Sequence, residues 1–481
     1  MPSLDELLAG RPEGLDVDVA ALADRVAASG RVLLVLDDDP TGTQSVADLP
    51  VLMDWTLESL GWALDQHRPA VYVMTNTRSL DPAEAEQRNV EVARNALAAA
   101  AERGIELCFV SRSDSTLRGH FPLETDVLAR EIAAVTGRPV DGVLLVPAFG
   151  DAGRVTVDGV HYTGAPGGGF IPVGESEFAR DATFGYASSD LRDWVAEKSE
   201  GRIPAAKVAA IDLTVLRTAR AEVARILGDL HDGQPVVVDI VTENDLRLLA
   251  EAVLDAEDAG SVFVVRAGPP FPRALVGQAP HPPLRPDDLA AIRQGGLAED
   301  ARGGLVVVGS HVALTTSQLE ALVSRRNPLR IELDVAAVLD EGADAYVNGV
   351  AARAAAALAE EDVVVSTSRL RVDGAGKDES LAIARRVSTA LIEVVQQVLA
   401  VRPPRFVVAK GGITSSDVAA RGLGITRAMV RGPMLPGIVS LWEPAGGPAR
   451  GIPYVVFAGN VGGPESLADV VDLLSAADPT P

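Results

Sequence analysis

Cysteine is almost absent from this 481-residue chain, in which Cys108 stands alone. A single cysteine can form no disulfide within the chain and no cysteine-based metal site. Aromatic residues are also scarce, at 4% of the sequence, so the cores that its 47% of hydrophobic residues can form must be mainly aliphatic. The length predicts more than one domain.

An excess of basic residues is lacking as well. The chain carries 43 Lys and Arg against 67 Asp and Glu, a net charge of −24. Such a charge repels nucleic acids and anionic membrane surfaces, so we expect neither as a partner. No apolar run reaches the roughly 18 residues of a membrane span, and the first residues lack the pattern of a secretory signal. We therefore expect a cytoplasmic protein.

Short β-branched runs alternate with longer segments of helical period, and the runs are apolar throughout instead of alternating with polar residues. Runs of this kind are typical of strands buried on both faces of a parallel sheet. The expected strands are Val32–Leu36, Val71–Met74, Leu107–Val110, Val143–Val146, Val236–Ile240, Val262–Val265, Leu305–Val308, Val363–Val365, Phe406–Ala409 and Tyr454–Phe457. The pattern predicts an α/β protein.

A stretch rich in proline and glycine, residues 271–304, interrupts this alternation. Such composition is typical of the segment between two domains. We therefore predict an N-terminal domain over residues 1–270 and a C-terminal domain over residues 305–481, each with a largely parallel sheet flanked by helices.

Polar side chains collect where the expected strands of the first domain end, which is where open parallel sheets bind ligands. The segments that follow four of these strands are Asp37–Gln44, Thr75–Arg78, Ser111–Gly119 and Pro147–Arg154. Hydroxyls and carboxylates suit a polyhydroxylated ligand. Arginine suits a carboxylate or a phosphate, which it can hold through two parallel hydrogen bonds.

Structural explanations compete with function at these positions. A single Asp or Thr at a strand end is usually a helix N-cap, and Asp39 or Thr41 fits that role. Three adjacent carboxylates, Asp37 to Asp39, repel one another unless they are paired or used, which favours a functional site. For Asp114, a structural ion pair with Arg112 or Arg118 is an equal alternative.

Three expected strands of the second domain run into turns of Gly, Ser and Thr. These turns are Gly309-Ser310, Lys410–Ser416 and Ala458–Gly463. Glycines let a backbone approach phosphates closely, and helix N-termini offer free N–H groups. Lys410 stands at one turn, from which it could reach a phosphate. No GxxxxGK[ST] motif occurs and no GxGxxG follows a strand, so the pattern indicates a phosphate-binding domain that is neither a P-loop nor an ordinary dinucleotide fold.

Several spaced motifs are similar to those of one known family. They are Asp38-Asp39-Pro40-Thr41-Gly42, Asp114–Gly119 (DSTLRG), Pro147–Tyr162 with Gly150 where proline is usual, Gly309–Gln318, Thr367-Ser368-Arg369, Gly411–Thr414 with Ile413 where an acidic residue is common, and Ala458–Gly462. In this order and over nearly the whole chain, they resemble the four-carbon acid sugar kinase family, also called the domain-of-unknown-function 1537 family.

The resemblance implies an ATP-dependent kinase of four-carbon sugar acids such as threonate, erythronate or their oxo forms. The N-terminal domain would bind the sugar acid and the C-terminal domain would bind ATP. The residues expected at the nucleotide are Ser310, Lys410, Gly411, Gly412, Ile413, Thr414, Gly459 and Asn460.

For the transfer itself we expect a carboxylate base, in the group Asp38, Asp39 and Asp114, with Asp38 preferred and Asp114 second. The residues expected to bind the sugar acid are Asp37, Thr41, Arg78, Ser115, Arg118 and Arg154. Mg²⁺ would bridge the ATP phosphates mainly through water, with no protein ligand assigned. The assembly is left open, with a homodimer as one option.

Two other functions fit parts of the sequence. An apolar strand followed by Asp37-x-Asp39-x-Thr41 also matches haloacid-dehalogenase-like phosphatases, in which Asp37 would be the nucleophile and Asp39 the acid. Those enzymes need a later lysine, yet the first lysine of this chain is Lys198. A sugar-acid sensor would use the same strand-end residues without a nucleotide site.

Overall fold

The computed structural model describes residues 1–165, 167–298, 301–368 and 377–476. This described part of the chain divides into two compact units. The first unit comprises Met1–Gly42 and Asp54–Pro280, and the second comprises Thr43–Met53 and the residues from His281 onward. The segment Thr43–Met53 thus belongs to the second unit, although it lies within the N-terminal part of the sequence.

The strands, in chain order, are β1 Val32–Asp37, β2 Leu49–Leu52, β3 Ala70–Met74, β4 Leu107–Arg112, β5 Gly142–Val146, β6 Arg154–Val157, β7 Val160–Gly164, β8 Phe170–Pro172, β9 Ala209–Ile211, β10 Gln234–Val238, β11 Phe263–Ala267, β12 Leu305–Val308, β13 Leu329–Leu333, β14 Val363–Thr367, β15 Val407–Lys410, β16 Arg427–Leu435, β17 Ile438–Pro444 and β18 Tyr454–Phe457.

The α-helices are α1 Leu4–Leu8, α2 Val19–Ser29, α3 Leu57–Leu64, α4 Pro82–Ala101, α5 Leu123–Thr136, α6 Leu191–Lys198, α7 Leu213–Thr218, α8 Arg220–Gly228, α9 Glu243–Asp258, α10 Pro270–Leu275, α11 Pro286–Arg293, α12 Ala313–Arg326, α13 Val335–Leu339, α14 Ala343–Ala357, α15 Lys377–Val401, α16 Gly412–Asp417 and α17 Ser466–Ala476. A π-helical turn, Val418–Gly422, continues α16. Among the helices of the described residues, none has the length and hydropathy needed to cross a membrane.

The main sheet of the first unit is parallel, in the order β3-β1-β4-β11-β5-β10-β9. Every residue of β1 is buried, as expected for a central strand covered on both faces. A small antiparallel sheet of β6, β7 and β8 accompanies it. The carboxyl ends of β3, β1 and β4 therefore lie side by side at one edge.

The sheet of the second unit has the order β13-β14-β12-β15-β18-β17-β16-β2. The first five strands of this order, β13, β14, β12, β15 and β18, pair in parallel. The pairs β18-β17, β17-β16 and β16-β2 are antiparallel. Thr43 is buried in this unit, where its hydroxyl accepts a hydrogen bond from Trp442 Nε1 (3.0 Å).

The expected α/β class, with a largely parallel sheet flanked by helices, is confirmed. Each predicted strand overlaps a strand of the structure, although Ile240, Val262 and Phe406 lie outside β10, β11 and β15. As expected, α4 begins at Pro82 after its N-cap Asp81. Part of the stretch 271–304 is helical, in α10 and α11, and its residues 299–300 lie outside the described residues.

Candidate functional site

The sheet order of the first unit brings the expected site residues together. In β1, Asp37 is level with Met74 of β3 on one side and with Arg112 of β4 on the other. On β11, Arg266 is level with Ser111 of β4. The polar segments that follow β1, β3 and β4 therefore share one edge, as the sequence predicts.

Asp37 lies beneath this edge and is fully buried. Its carboxylate forms an ion pair with the buried guanidinium of Arg112, which also donates to the backbone oxygen of Asp39 (2.7 Å). A Cβ atom on Gly42 would collide with both side chains of this pair, so only glycine fits there. Although the sequence suggests Arg112 as a partner of Asp114, Arg112 pairs with Asp37 in the structure, and the contact of Asp37 with the sugar acid stays a prediction.

Asp38 is buried at the edge itself and forms a two-pronged ion pair with Arg78. The distances are 3.0 Å from Arg78 Nε to Asp38 Oδ2 and 2.5 Å from Nη2 to Oδ1. Burial raises the pKa of Asp38 to about 7, although the charge of Arg78 opposes this shift. A carboxyl group with such a pKa exchanges a proton readily near neutral pH, as a general base must.

Arg78 contacts a second carboxylate besides that of Asp38, because its Nη1 also lies 3.3 Å from Asp39 Oδ2. Burial lowers the pKa of Arg78, but the charges of Asp38, Asp39 and Asp114 outweigh burial, and the net shift is upward. Thr41 donates to Asp39 Oδ1 through its backbone N–H (2.9 Å) and its hydroxyl (2.5 Å). Arg78 and Thr41 therefore hold the two aspartates in place.

The loop Asp114–Gly119 follows β4 and carries the second candidate base. Asp114 Oδ2 accepts hydrogen bonds from Arg118 Nε (2.7 Å) and from the Thr116 hydroxyl. Burial raises the pKa of Asp114, but the charges of Arg78 and Arg118 outweigh it and hold that pKa well below its usual value. Asp114 is therefore ionised and already paired. Such a carboxylate is a weaker proton acceptor than Asp38.

Two arginines lie over the same aromatic ring. The guanidinium carbon atoms of Arg118 and Arg154 are 5.3 and 5.6 Å from the centroid of Phe178. Arg154 Nε is buried and has no hydrogen-bond partner among the described residues. Ser115, also expected here, is buried in the same loop as Arg118. Two neighbouring guanidinium groups with an unused donor are suited to bind a carboxylate.

Sequence reasoning missed Glu124 of α5 and Arg266 of β11. Glu124 accepts hydrogen bonds from the hydroxyls of Thr77 (2.5 Å) and Ser111 (3.0 Å), so it ties the ends of β3 and β4 together. The charge of Glu124 also contributes to the raised pKa of Asp38. Neither residue stands in a recognisable motif, and only the sheet order places them at this edge.

In the second unit, β12, β15 and β18 are neighbours, so their glycine-containing turns meet. The hydroxyl of Thr315, in the first turn of α12, donates to the Gly459 carbonyl (2.9 Å) and lies within hydrogen-bond distance of the Ser310 hydroxyl (3.2 Å). Gln318, one turn later, donates to the carbonyls of Val461 (3.0 Å) and Gly463 (2.8 Å). The start of α12 thus fixes the turn that follows β18.

The glycines of these turns allow close contacts that a side chain would prevent. A Cβ on Gly459 would lie 2.6 Å from Ser310 Oγ, and one on Gly309 would collide with the Thr414 hydroxyl. Gly411 has a φ of 130°, which side-chain-bearing residues rarely adopt. The result is a group of closely packed turns around Ser310, Gly411, Thr414 and Gly459, which we call the glycine cradle. Backbone N–H groups at turns of this kind can bind phosphates.

Other residues expected at the nucleotide have different surroundings. Ile413 is 69% exposed, and Asn460 is exposed on the turn after β18, while Gly412 borders open space. Lys410 is fully buried, with Nζ donating to the Ala458 carbonyl (2.6 Å) above the ring of Phe457, and burial lowers its pKa to about 7. Lys410 braces the turn after β18, and its contact with a phosphate stays a prediction.

Within the described ranges, no cluster of three or more His, Cys, Asp or Glu side chains is arranged to hold a metal ion. Arg369, from the Thr367-Ser368-Arg369 motif, lies outside the described residues. Ser368 donates from its hydroxyl to the Leu333 carbonyl (3.1 Å), next to the end of β13.

Comparison with known proteins matches two segments of the chain to family models. Residues 33–275 match a family model described as a sugar-binding N-terminal domain, and residues 305–467 match one described as a nucleotide-binding C-terminal domain. The chain belongs to the four-carbon acid sugar kinase family. The resemblance noted from the motifs is therefore confirmed.

Curated relatives of this kinase family include a D-erythronate kinase of Heliobacterium modesticaldum, 29% identical over 275 residues that cover 56% of this chain and 54% of the relative. A D-threonate kinase of Salmonella typhimurium is 28% identical over 267 residues, covering 54% of each chain. The match thus spans about half the length of these relatives. A Haemophilus influenzae protein of the same family, 19% identical, shares the fold with a TM-score of 0.62 over 92% of this chain and 100% of that one.

Proposed function

We propose that this protein transfers the γ-phosphoryl group of ATP to a hydroxyl of a four-carbon sugar acid of the erythronate or threonate type. The observation that carries the proposal is the first site, where buried Asp38, with its pKa of about 7, lies at the same sheet edge as the loop of Arg118, and Arg118 and Arg154 lie over one aromatic ring. A base and a pair of carboxylate-binding groups are what a hydroxylated acid requires.

In this proposal Arg118 and Arg154 bind the carboxylate of the sugar acid, and Ser115 binds one of its hydroxyls. Asp38 accepts the proton of the reacting hydroxyl as the hydroxyl oxygen forms its bond to the γ-phosphorus and the bond to the ADP oxygen breaks. The products are a phosphate ester and ADP, and Asp38 then releases its proton to water. Arg78 and Asp39 keep the Asp38 carboxylate oriented.

The glycine cradle of the second unit supports the nucleotide half of the reaction. Ser310, Gly411, Thr414 and Gly459 line it, and we assign them to the phosphates of ATP. Mg²⁺ would neutralise phosphate charge while bound mostly to phosphate oxygens and water, its usual mode in phosphoryl transfer.

The geometry gives less support to a phosphatase of the haloacid-dehalogenase type. Its nucleophile would be Asp37, which is fully buried and paired with Arg112. A cytoplasmic location and a homodimer are proposals that cell fractionation and light scattering would test.

The test is a screen of four-carbon aldonates and oxo-aldonates with ATP and Mg²⁺, with ADP formation as the signal. We expect turnover with an erythronate or threonate stereoisomer, and a large loss in Asp38→Asn but not in a matched variant, Asp24→Asn, on the exposed face of α2. If no acid of this class yields ADP, while nucleotide still raises the melting temperature, the substrate assignment is wrong.

A further inference from the structure

Three backbone carbonyls of the loop Asp114–Gly119 accept hydrogen bonds from side chains of separate segments. The bonds run from His161 Nε2 to Ser115 O (2.8 Å), from Tyr186 Oη to Thr116 O (2.6 Å) and from Arg266 Nη2 to Arg118 O (3.2 Å). The donors lie on β7, on the segment before α6, and on β11. No short sequence motif unites these three residues, and we call them the carbonyl clamp.

The loop is in a conformation that needs such support. Leu117 has a φ of 70°, in the left-handed region that a residue with a bulky side chain rarely adopts, and Gly119 has a φ of 119°. A strained backbone of this kind persists only where surrounding contacts fix it. The Leu117 side chain is buried in a core cluster with Tyr186 and Trp194, so packing and the carbonyl clamp act on the same few residues.

His161 and Tyr186 are in the protonation states that the clamp requires. A carbonyl can only accept, so His161 carries its proton on Nε2, while its Nδ1 accepts from the Thr156 hydroxyl (2.9 Å). Burial lowers the pKa of His161 to about 4, so the ring is neutral near pH 7. Burial also raises the pKa of Tyr186, whose hydroxyl therefore stays protonated.

The clamp also links the loop to Arg154, the second arginine expected to bind the sugar-acid carboxylate. His161 on β7 pairs with Thr156 of β6, the strand that begins at Arg154. Arg266 lies over the rings of Phe121 and Trp194, 5.5 and 5.0 Å from their centroids, which fixes its guanidinium beneath the loop. Arg118, on the loop, is thereby held at a set position relative to Arg154.

We propose that His161, Tyr186 and Arg266 are positioning residues, which hold the Asp114–Gly119 loop so that Ser115 and Arg118 meet the sugar acid together with Arg154. This inference rests on the proposed function for its activity readout. The inference predicts that loss of a clamp bond weakens sugar-acid binding while nucleotide binding is unchanged, because the glycine cradle is in the second unit.

The first test is Tyr186→Phe, which removes one hydroxyl and keeps the ring in its core. We expect the KM for the sugar acid to rise about tenfold, because small displacements of binding groups are costly. The KM for ATP stays within twofold, and hydrogen exchange of the loop amides becomes faster. The matched control is Tyr346→Phe on α14, which also loses a bonded hydroxyl but lies in the second unit.

The second test compares His161→Gln with His161→Leu. The Gln amide can still donate to Ser115 O and should retain most of the sugar-acid affinity, whereas Leu should raise the KM as Tyr186→Phe does. The two His161 variants also test the carbonyl clamp if Tyr186→Phe does not fold.

An unchanged KM for the sugar acid in Tyr186→Phe and His161→Leu would overturn the clamp, as would a fall in kcat alone, which signals only lost active protein. If the wild-type chain turns over no sugar acid, the proposed function fails instead. Hydrogen exchange of the loop then tests the clamp by itself, and equal exchange in variant and wild type refutes it.

Discussion

The pH dependence of turnover follows from the surroundings of Asp38. As a base, Asp38 must be ionised, and its pKa of about 7 means that about one molecule in eleven is competent at pH 6 and about ten in eleven at pH 8. We therefore expect kcat/KM to rise about tenfold between these values. The sugar-acid carboxylate is ionised throughout this range and adds no change of its own.

The other titrating groups of the two sites do not obscure this rise of kcat/KM with pH. The pKa of Asp114 is held well below its usual value, and His161, with its pKa near 4, is neutral over the whole interval. Lys410 also has a pKa of about 7, but its charge is lost as the pH rises. Any contribution of Lys410 to ATP binding therefore decreases over the pH range in which the contribution of Asp38 to catalysis increases. A rise of kcat/KM with pH indicates Asp38, and a fall indicates Lys410.

Asp38→Asn supplies the decisive comparison. Removal of a general base typically costs ~10²–10⁴ in rate, about 3–5 kcal/mol of transition-state stabilisation, and the variant should lose the rising limb altogether. The assay is initial-rate ADP formation from pH 5.5 to 8.5 at constant ionic strength. A flat profile in the wild-type chain, or a rising limb that survives in Asp38→Asn, would show that Asp38 is not the base.

Three further predictions concern stability and the two binding sites. The folded pKa of Asp38, about 7, exceeds its ordinary 3.8, so the contribution of Asp38 to stability is lost as the pH rises from 4 to 8. The lowered pKa of His161 has the opposite effect, but it is common to the wild type and Asp38→Asn. In chemical denaturation the stability of the wild type relative to Asp38→Asn should therefore fall by up to about 4 kcal/mol over this range. Arg154→Ala should raise the sugar-acid KM by about 10- to 100-fold, since a charged hydrogen bond is worth about 1.5–3 kcal/mol, with the KM for ATP unchanged; equal effects on both KM values would contradict this. Gly459→Ala, whose methyl would press on Ser310 Oγ, should raise only the KM for ATP, whereas Gly463→Ala, with open space around it, serves as the control.

Motifs at the strand ends were readable from the sequence because parallel strands bring their carboxyl ends to one edge. Asp38, Arg78, Asp114 and Arg118 are accordingly found close together. Their individual partners were not readable. A guanidinium pairs with whichever carboxylate the fold brings within reach.

Four of the strands that the sequence did not predict, β9, β13, β16 and β17, differ from the central parallel strands for a structural reason. β16 and β17 form an antiparallel hairpin and pair with β18 and β2, so they lack the continuous apolar runs of the central parallel strands. β9 and β13 lie at sheet edges, where β13 alternates between buried and exposed positions. A search for continuous apolar runs detects doubly covered strands and overlooks these.

By itself the sequence determined the α/β class, the parallel strands and the residue types at their ends, because burial on both faces demands unbroken apolar runs. Only the tertiary structure decided that Asp37 is buried in an ion pair with Arg112 and that Thr43–Met53 belongs to the second unit. It also decided that Arg266 supports a loop about 150 residues before it in the chain. Those outcomes depend on which distant strands become neighbours. Strand pairing is a property of the whole sheet, and no local stretch of sequence encodes it.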